Sequence, residues 1–255
     1  MNLRTFISKT VAMLIIAVAF ASATLASPAD DFKAANQLYD AGKFADAIAA
    51  YEKIEPKTAY LYFNLGNAHF RAGETGKAIV NYERARRLSP RDPDILANLK
   101  FAQQKLGVEE VNAPPKVWQR IVRSAIDSHT PREWSVYELV GIWLATLAVG
   151  LAMWLRRVRT TLLVVSAAAF VWLLVAGSAL SYQMMDERTA PRAVVVVRQA
   201  DARFAPLPDS TVHVRLLEGT EGSVLEDRGQ WLLMERADGQ QGWVRRESVE
   251  LINAP

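Results

Sequence analysis

Three histidines, three acidic pairs and no cysteine make up the obvious raw material for catalysis or metal binding in this 255-residue chain. His69, His129 and His213 stand in three unrelated contexts, so a histidine-rich metal centre is not expected. The lack of any thiol excludes disulfides, thiolate metal sites, a cysteine nucleophile and a lipidated cysteine anchor. Asp30-Asp31, Glu109-Glu110 and Asp186-Glu187 fall in linkers or beside an apolar stretch, where solvated charge is the simplest account. No serine has a recognisable base, and no glycine-rich loop follows a strand. We therefore expect no enzyme, no cofactor and no metal. The residues with better prospects are asparagines set among aromatics: Phe32, Asn36 and Tyr39, then Tyr60, Phe63, Asn64, Asn67, Phe70 and Arg71, then Asn98, Phe101 and Lys105. Amides can pair with the backbone of an extended segment while rings cover its side chains, so the chemistry on offer is recognition. Several of these rings could equally pack between helices. A net charge of +3, with 22% charged residues and no basic patch, gives nucleic acid nothing to bind.

These residues are positioned by a repeat. Gly42-Lys-Phe-Ala-Asp-Ala47-Ile48-Ala-Ala-Tyr51-Glu52 recurs as Gly73-Glu-Thr-Gly-Lys-Ala78-Ile79-Val-Asn-Tyr82-Glu83. Around the second copy, Leu65-Gly66, Ala78, Tyr82, Ala85 and Pro90 resemble a tetratricopeptide repeat running from Ala59 to Asp92. Gly66 and Ala78 are small where two antiparallel helices cross closely, and Tyr82 fills the gap. The first copy is less regular, its second helix stopping before Pro56. Asp92-Pro93 predicts a third helix over Ile95–Leu106, able to cap the stack. By this resemblance the side of each first helix that faces a concave groove carries Asn36, Tyr60, Phe63, Asn64, Asn67, Phe70 and Arg71, with Asn98 and Phe101 added by the cap. Asn64 matches a position that in some co-chaperone repeats clamps a C-terminal carboxylate. The basic partners of that clamp do not match, because Asp94 stands where lysine would be expected. Gly73-Glu-Thr-Gly76-Lys77 superficially resembles a phosphate-cradling loop, but Arg71 and Ala78 replace key residues and a helix precedes it. It reads as an inter-helix turn.

The hydrophobic fraction of 51% is concentrated in three stretches. Arg4 and Lys9, the apolar run Val11–Phe20 and the small residues Ala21–Ser27 form a secretory leader over residues 1–26. Cleavage after Ala26 or Ala23 fits, and an uncleaved anchor is the other reading. Val136–Leu155 and Leu162–Tyr182 are each long enough to cross about 30 Å of hydrocarbon. Thr130-Pro-Arg-Glu133 opens the first as a capping box. We expect spans at 134–155 and 161–182, joined by Arg156-Arg-Val-Arg-Thr160. Three arginines in so short a loop favour a cytoplasmic loop, although Arg120, Arg123, Arg132, Arg188 and Arg192 flank the spans in longer segments. The expected topology is a bacterial inner-membrane hairpin with both ends of the chain in the periplasm. Within the 107–133 linker, Val117–Ser128 reads as an amphipathic helix, either flat on the bilayer or packed on the repeats.

The C-terminal part, 193–253, predicts strands at Ala193–Arg198, Val212–Leu217, Ser223–Glu226 and Trp231–Arg236, with an Asp238-Gly239 turn leading into Gly242-Trp243-Val244. The glycines at 219, 229, 239 and 242, with Trp231, Trp243 and Ala202-Arg-Phe-Ala-Pro206, resemble a bacterial SH3-like domain. That resemblance implies cell-wall peptide or protein binding, with Trp231 and Trp243 as ligand contacts or as core.

The whole order is similar to the BatE family of the bacterial aerotolerance (Bat) operon: leader, repeat segment 27–106, hairpin, SH3-like domain. Leu61-Tyr-Phe-Asn-Leu-Gly-Asn-Ala68, Ala78-Ile-Val-Asn-Tyr-Glu-Arg-Ala85, Leu88-Ser-Pro90 and Ile95-Leu-Ala-Asn-Leu99 carry it best. It implies partnership with von Willebrand factor A-domain Bat proteins and a MoxR-type ATPase in envelope stress. The fold expected is a multidomain membrane protein with an α-helical tetratricopeptide solenoid, a two-helix transmembrane hairpin and a small all-β SH3-like barrel. The function expected is an envelope scaffold; the alternative is a peptidoglycan binder acting through its SH3-like domain.

Overall fold

The computed structural model describes residues 28–108, 117–189 and 191–252. The expected leader and the Glu109-Glu110 pair lie outside them. The chain divides into two units, Met1–Pro56 and Lys57–Pro255. The first contains α1 (Pro28–Asp40) and α2 (Phe44–Glu52), joined at Gly42, whose φ of 73° only glycine adopts readily. Ala35 and Ala47 are fully buried, and the Tyr51 ring lies 5.6 Å from that of Phe32. Helix α2 ends before Pro56, as the sequence predicts.

The second unit opens with α3 (Ala59–Arg71), α4 (Thr75–Leu88) and α5 (Pro93–Leu106). Thr58 caps α3 by accepting from Leu61 N at 3.2 Å. The turn before α4 holds Gly73 at φ 87°, and helix α3 precedes it, so the phosphate-loop look-alike is a helix–turn–helix. A Cβ on Gly66 would sit 2.6 Å from the Tyr82 ring. That contact is the close crossing the repeat pattern demands. Asp92 caps α5 by accepting from Asp94 N and Ile95 N, with Pro93 at the first helical position and Gly107 left-handed after its end.

The next three helices are α6 (Val117–Asp127), α7 (Pro131–Trp154) and α8 (Arg159–Thr189), with a 3-10 turn at Arg156–Val158 between the last two. Both α7 and α8 are long and apolar enough to cross a membrane. The capping box forms as expected: Thr130 Oγ1 accepts from Glu133 N, and Glu133 Oε2 accepts from Thr130 N at 2.8 Å. Small residues let the two helices approach, with Ala148, Ala152, Ala176 and Ala179 buried. A Cβ on Gly177 would lie 2.7 Å from Glu138 Oε1, so this glycine leaves the space into which the Glu138 side chain reaches. Helix α6 packs on the hairpin through Ile126, whose carbonyl accepts from Trp134 Nε1 and Gln183 Nε2. Its other large apolar residues, Val117, Trp118, Ile121 and Val122, are exposed.

Seven strands follow: β1 (Arg192–Val195), β2 (Gln199–Arg203), β3 (Val212–Leu217), β4 (Glu221–Asp227), β5 (Trp231–Arg236), β6 (Gln241–Arg245) and β7 (Val249–Leu251). They form one antiparallel sheet in the order β3-β2-β6-β5-β4-β1-β7. Among the described residues no ladder joins β3 to β7, so the expected barrel is not closed. Strands β2 and β7 are additions to the sequence expectation. Strand β2, Gln-Ala-Asp-Ala-Arg, buries only alanines, and a Cβ on the facing Gly242 would meet Ala202 at 2.7 Å.

The sheet does not stand apart from the repeat. Ile79, Val80, Tyr82, Leu99 and Ala102 share one buried cluster with Val194 and Ile252. Gly76 N donates to Glu218 Oε1 at 2.6 Å, and Arg84 Nη2 donates to Leu251 O at 2.7 Å while its Nη1 pairs with Glu250. Each fully buried Val or Ile contributes about 1.5–3 kcal/mol, so this contact rivals a small domain core. A Cβ at Gly76 would lie 2.8 Å from Val195 O, a backbone atom that cannot step aside. Gly76→Val should therefore cost about 1–3 kcal/mol. Hydrogen exchange should then speed up in β1 and β7 while the amides of β5 and β6 keep their protection.

Candidate partner-binding surface

Tyr60, Asn64, Asn67 and Arg71 recur three and four residues apart along α3, which places them on one face. Tyr60 is 62% exposed and Arg71 is exposed, whereas Phe63, Asn64, Asn67 and Phe70 are half-buried. Phe63 leans on Tyr82, ring centroids 6.1 Å apart, so it belongs to the helix packing. Phe70 meets Phe101, ring centroids 5.6 Å apart, and the Lys105 ammonium lies 4.2 Å over its ring. Phe101 itself is 61% exposed. The surface thus pairs two exposed rings, Tyr60 and Phe101, with a supported floor between them.

The asparagines are partly committed internally. Asn67 Oδ1 accepts from Tyr82 OH at 2.8 Å and from Asn98 Nδ2 at 2.9 Å. Asn64 Nδ2 donates back to Tyr60 O at 2.7 Å. In the first unit Asn36 Oδ1 accepts from Tyr51 OH at 2.6 Å, the same pairing one repeat earlier. Asn36, Asn67 and Asn98 stand at equal spacing of 31 residues, so each marks the equivalent turn of its helix. These bonds hold the amide planes still, which lowers the entropy lost when a ligand pairs with what remains of them.

Residues 59–92 match the tetratricopeptide repeat family. That family is an interaction module, not a catalytic one, and the match covers the α3–α4 pair on which these residues sit. None of the curated proteins matches the chain.

Trp231 and Trp243 are only 8% and 7% exposed. Arg245 lies over the first ring at 5.5 Å and Arg228 over the second at 4.8 Å. Each indole is thus sandwiched between the sheet and a guanidinium. The histidines are dispersed: His69 Nδ1 bonds Glu74 Oε2 at 2.7 Å, His129 stacks against Trp134, and His213 against Phe204. Among the described residues no three His, Asp or Glu side chains converge as a metal site.

What sequence reasoning missed is a buried charge network behind this surface. Glu83 accepts from Arg86 Nη2 at 2.8 Å; Arg192 pairs with Glu221, which also accepts from Gln103 Nε2 at 3.0 Å. Glu83 and Arg86, three apart on α4, look like a solvated surface pair until the sheet covers them. Burial pushes the Glu83 carboxyl up, but Arg86, Arg192 and Arg87 outweigh it and hold it below the usual carboxylate range. Glu221 goes the other way, because burial and the neighbouring Glu83 exceed the pull of Arg192 and Arg86. With its folded pKa depressed, ionised Glu83 stabilises the docked state. That stability is full above the unfolded carboxylate value of about 4.3 and is lost as pH falls through the lower folded one. Glu83→Gln should destabilise the solubilised chain at pH 7 by about 3–5 kcal/mol. In urea unfolding followed by tryptophan fluorescence, the gap from wild type should close on acidification; a gap constant down to about pH 3 would refute the assignment.

Proposed function

We propose that this chain is a non-enzymatic adaptor of the bacterial envelope, held in the inner membrane by α7 and α8 and recruiting protein through the face of α3 and α5. The observation that carries this reading is the pair of exposed rings, Tyr60 and Phe101, flanking a supported Phe70 and fixed asparagines on a repeat whose α4 is already covered. An exposed aromatic costs solubility and contributes most when a partner covers it. An extended segment laid along α3 would meet Tyr60, Asn64, Asn67 and Arg71 in turn, then Asn98 and Phe101 of the cap. The order of repeat, hairpin and sheet is in keeping with the BatE family, and the candidate partners are therefore von Willebrand factor A-domain Bat proteins, in a complex with a MoxR-type ATPase. The glycine turns at 219, 229 and 239 support reading the sheet as an SH3-like module. Its two tryptophans are largely buried, which favours the adaptor reading over the alternative of peptidoglycan binding through the sheet.

A photo-crosslinking residue at Tyr60 or Phe101, in the full chain in cells, should capture von Willebrand factor A-domain proteins; the same probe at Arg215, on the sheet, should not. Equal capture from both places, or none from the repeat, would remove the partner assignment. The topology has a separate test, made clean by the missing cysteines. Asp209→Cys should react with a membrane-impermeant maleimide in spheroplasts, and Val158→Cys should react only after lysis. The reverse pattern would put the sheet in the cytoplasm.

A further inference from the structure

The two edges of the sheet differ. At one end β7 lies against α4, where Arg84 donates from Nε to Ile252 O and from Nη2 to Leu251 O. At the other end β3 pairs with β2, and among the described residues no strand lies on its outer side. Glu218 N donates inward to Arg198 O. Ladder bonds alternate along a strand, so the N–H groups of Leu217 and Arg215 point outward. Both residues are exposed, and an edge of this kind is a template for one more strand.

Beside this edge lies an open cavity of about 480 Å³, whose wall includes Gln199, Asp201, Arg203, Arg215, Arg245 and Ser248. Arg215 stands directly across the ladder from Asp201, so both side chains lie on one face. That wall carries three guanidiniums and one carboxylate. Arg245 pairs with Glu247 at 3.4 Å and covers Trp231. Arg203 donates to Ser210 O and lies 3.3 Å from Asp201 Oδ2, while Arg215 Nε is 3.7 Å from Asp201 Oδ1. Arg203 and Arg215 therefore have one carboxylate between them. Glu218, at the end of β3, is taken by Gly76 N. Arg198, one residue before β2, is exposed and has no acidic partner among the described residues.

We propose that β3 docks an extended acidic segment of a partner protein, which joins the sheet as an added strand beside residues 214–217. Backbone bonds to β3 hold the segment, and carboxylates on every second residue face Arg215 and the cavity behind it. A side chain directly opposite Arg215 has its Cβ about 5 Å away, close enough for an ion pair. The Arg215 side chain is 71% exposed and its bond to Asp201 is long and shared, so it is available for that pair. Residues between the carboxylates turn to the other face and cover the half-buried Val214, which suits β-branched side chains. The register shift between Ala202 and Arg203 bends the ladder beyond this stretch and limits the pairing to it. Arg215 also decides against a second copy of this chain, because a charged edge repels its own kind and admits the opposite sign. The ligand is distinct from whatever the face of α3 and α5 recruits.

The test uses the full chain in detergent and the fluorescence anisotropy of labelled peptides blocked at both ends. Val-Glu-Val-Glu-Val should bind about tenfold more tightly than Val-Lys-Val-Lys-Val, and should weaken as salt is added. Arg215→Glu should reverse that preference. Leu217→Pro removes an outward N–H without breaking a ladder bond to β2, and should weaken the acidic peptide about tenfold. Pro-Glu-Pro-Glu-Pro, of equal charge but short of strand donors, should not bind. Near-UV circular dichroism of each variant separates loss of the site from loss of the fold. Equal binding of the acidic and basic peptides, or of neither, overturns the proposal, as does an unchanged preference in folded Arg215→Glu. Equal binding of the proline peptide overturns it too, by showing an anion patch in place of an added strand. Displacement of the acidic peptide by soluble muropeptides would assign the edge to the cell wall and overturn it likewise. None of these outcomes depends on which protein the repeat recruits or on which side of the membrane the sheet lies.

Discussion

The buried line Glu83, Arg86, Arg192 and Glu221 crosses from α4 to β1 and β4 of the sheet, and the neighbouring Val194 and Ile252 close the apolar part of the same contact. Taking four charges out of water costs several kcal/mol per ion, which only close pairing and extra hydrogen bonds such as Gln103 to Glu221 offset. Three arginines around Glu83 explain how its carboxylate stays ionised there. Once α4 is committed in this way, the repeat has one helix of the pair left for a partner, and that helix is α3. Without this contact, Ile79 and Val80 on α4 and Val194 on β1 would lie open to water, a patch of the kind that drives aggregation.

A chain without cysteine has to stabilise small folds by packing alone. Two helix pairs with one cap are near the lower limit for a solenoid, and a seven-stranded sheet with short strands is also a small core. Sharing one apolar cluster between them increases the buried area of both without adding residues. The glycines at the contact show how close this packing is. Gly76 admits the backbone of β1, and Gly219, at φ 82°, leaves room for the ends of Leu106 and Ile79.

Much of the architecture was legible because it is written in local signals. The Gly66 and Tyr82 pairing, the Asp92-Pro93 start of α5, the capping box at Thr130 and the turn at Gly239 each follow from residue type and spacing. Strand β2 was not legible, since Gln-Ala-Asp-Ala-Arg lacks β-branched residues and its burial depends on Gly242 across the ladder. The amphipathic pattern of α6 showed an apolar face but not what it meets; the hydrogen bonds to Ile126 O tie it to the hairpin. The docking was the least visible feature. Glu83, Arg86 and Arg192 are charged residues that sequence reading assigns to solvent, and only the tertiary fold brings Glu221 to them. Of the candidate partner-binding residues, Tyr60, Asn64, Asn67 and Arg71 share one face of α3 as their spacing predicts, whereas Phe63 and part of the asparagine chemistry serve the packing, a division that the spacing does not show.

The charges and the apolar cluster do different work at that contact. Apolar burial is indifferent to small rotations, because Ile79 or Val194 can slide over a neighbour with little loss. A guanidinium and a carboxylate cannot, since a displacement of an ångström or two leaves a desolvated charge without its partner. The network therefore sets the angle at which the sheet sits on α4, and the cluster sets how strongly. The same angle brings Arg192 from the sheet beside Arg86 and Arg87 from the repeat, where they line one small cavity with Arg123 of α6 and Gln183 of α8. A network built from hydrophobic residues of equal volume would hold the two parts together as well, but it would not deliver four guanidiniums to one place. Orientation, more than added stability, is what this arrangement obtains from burying its charges.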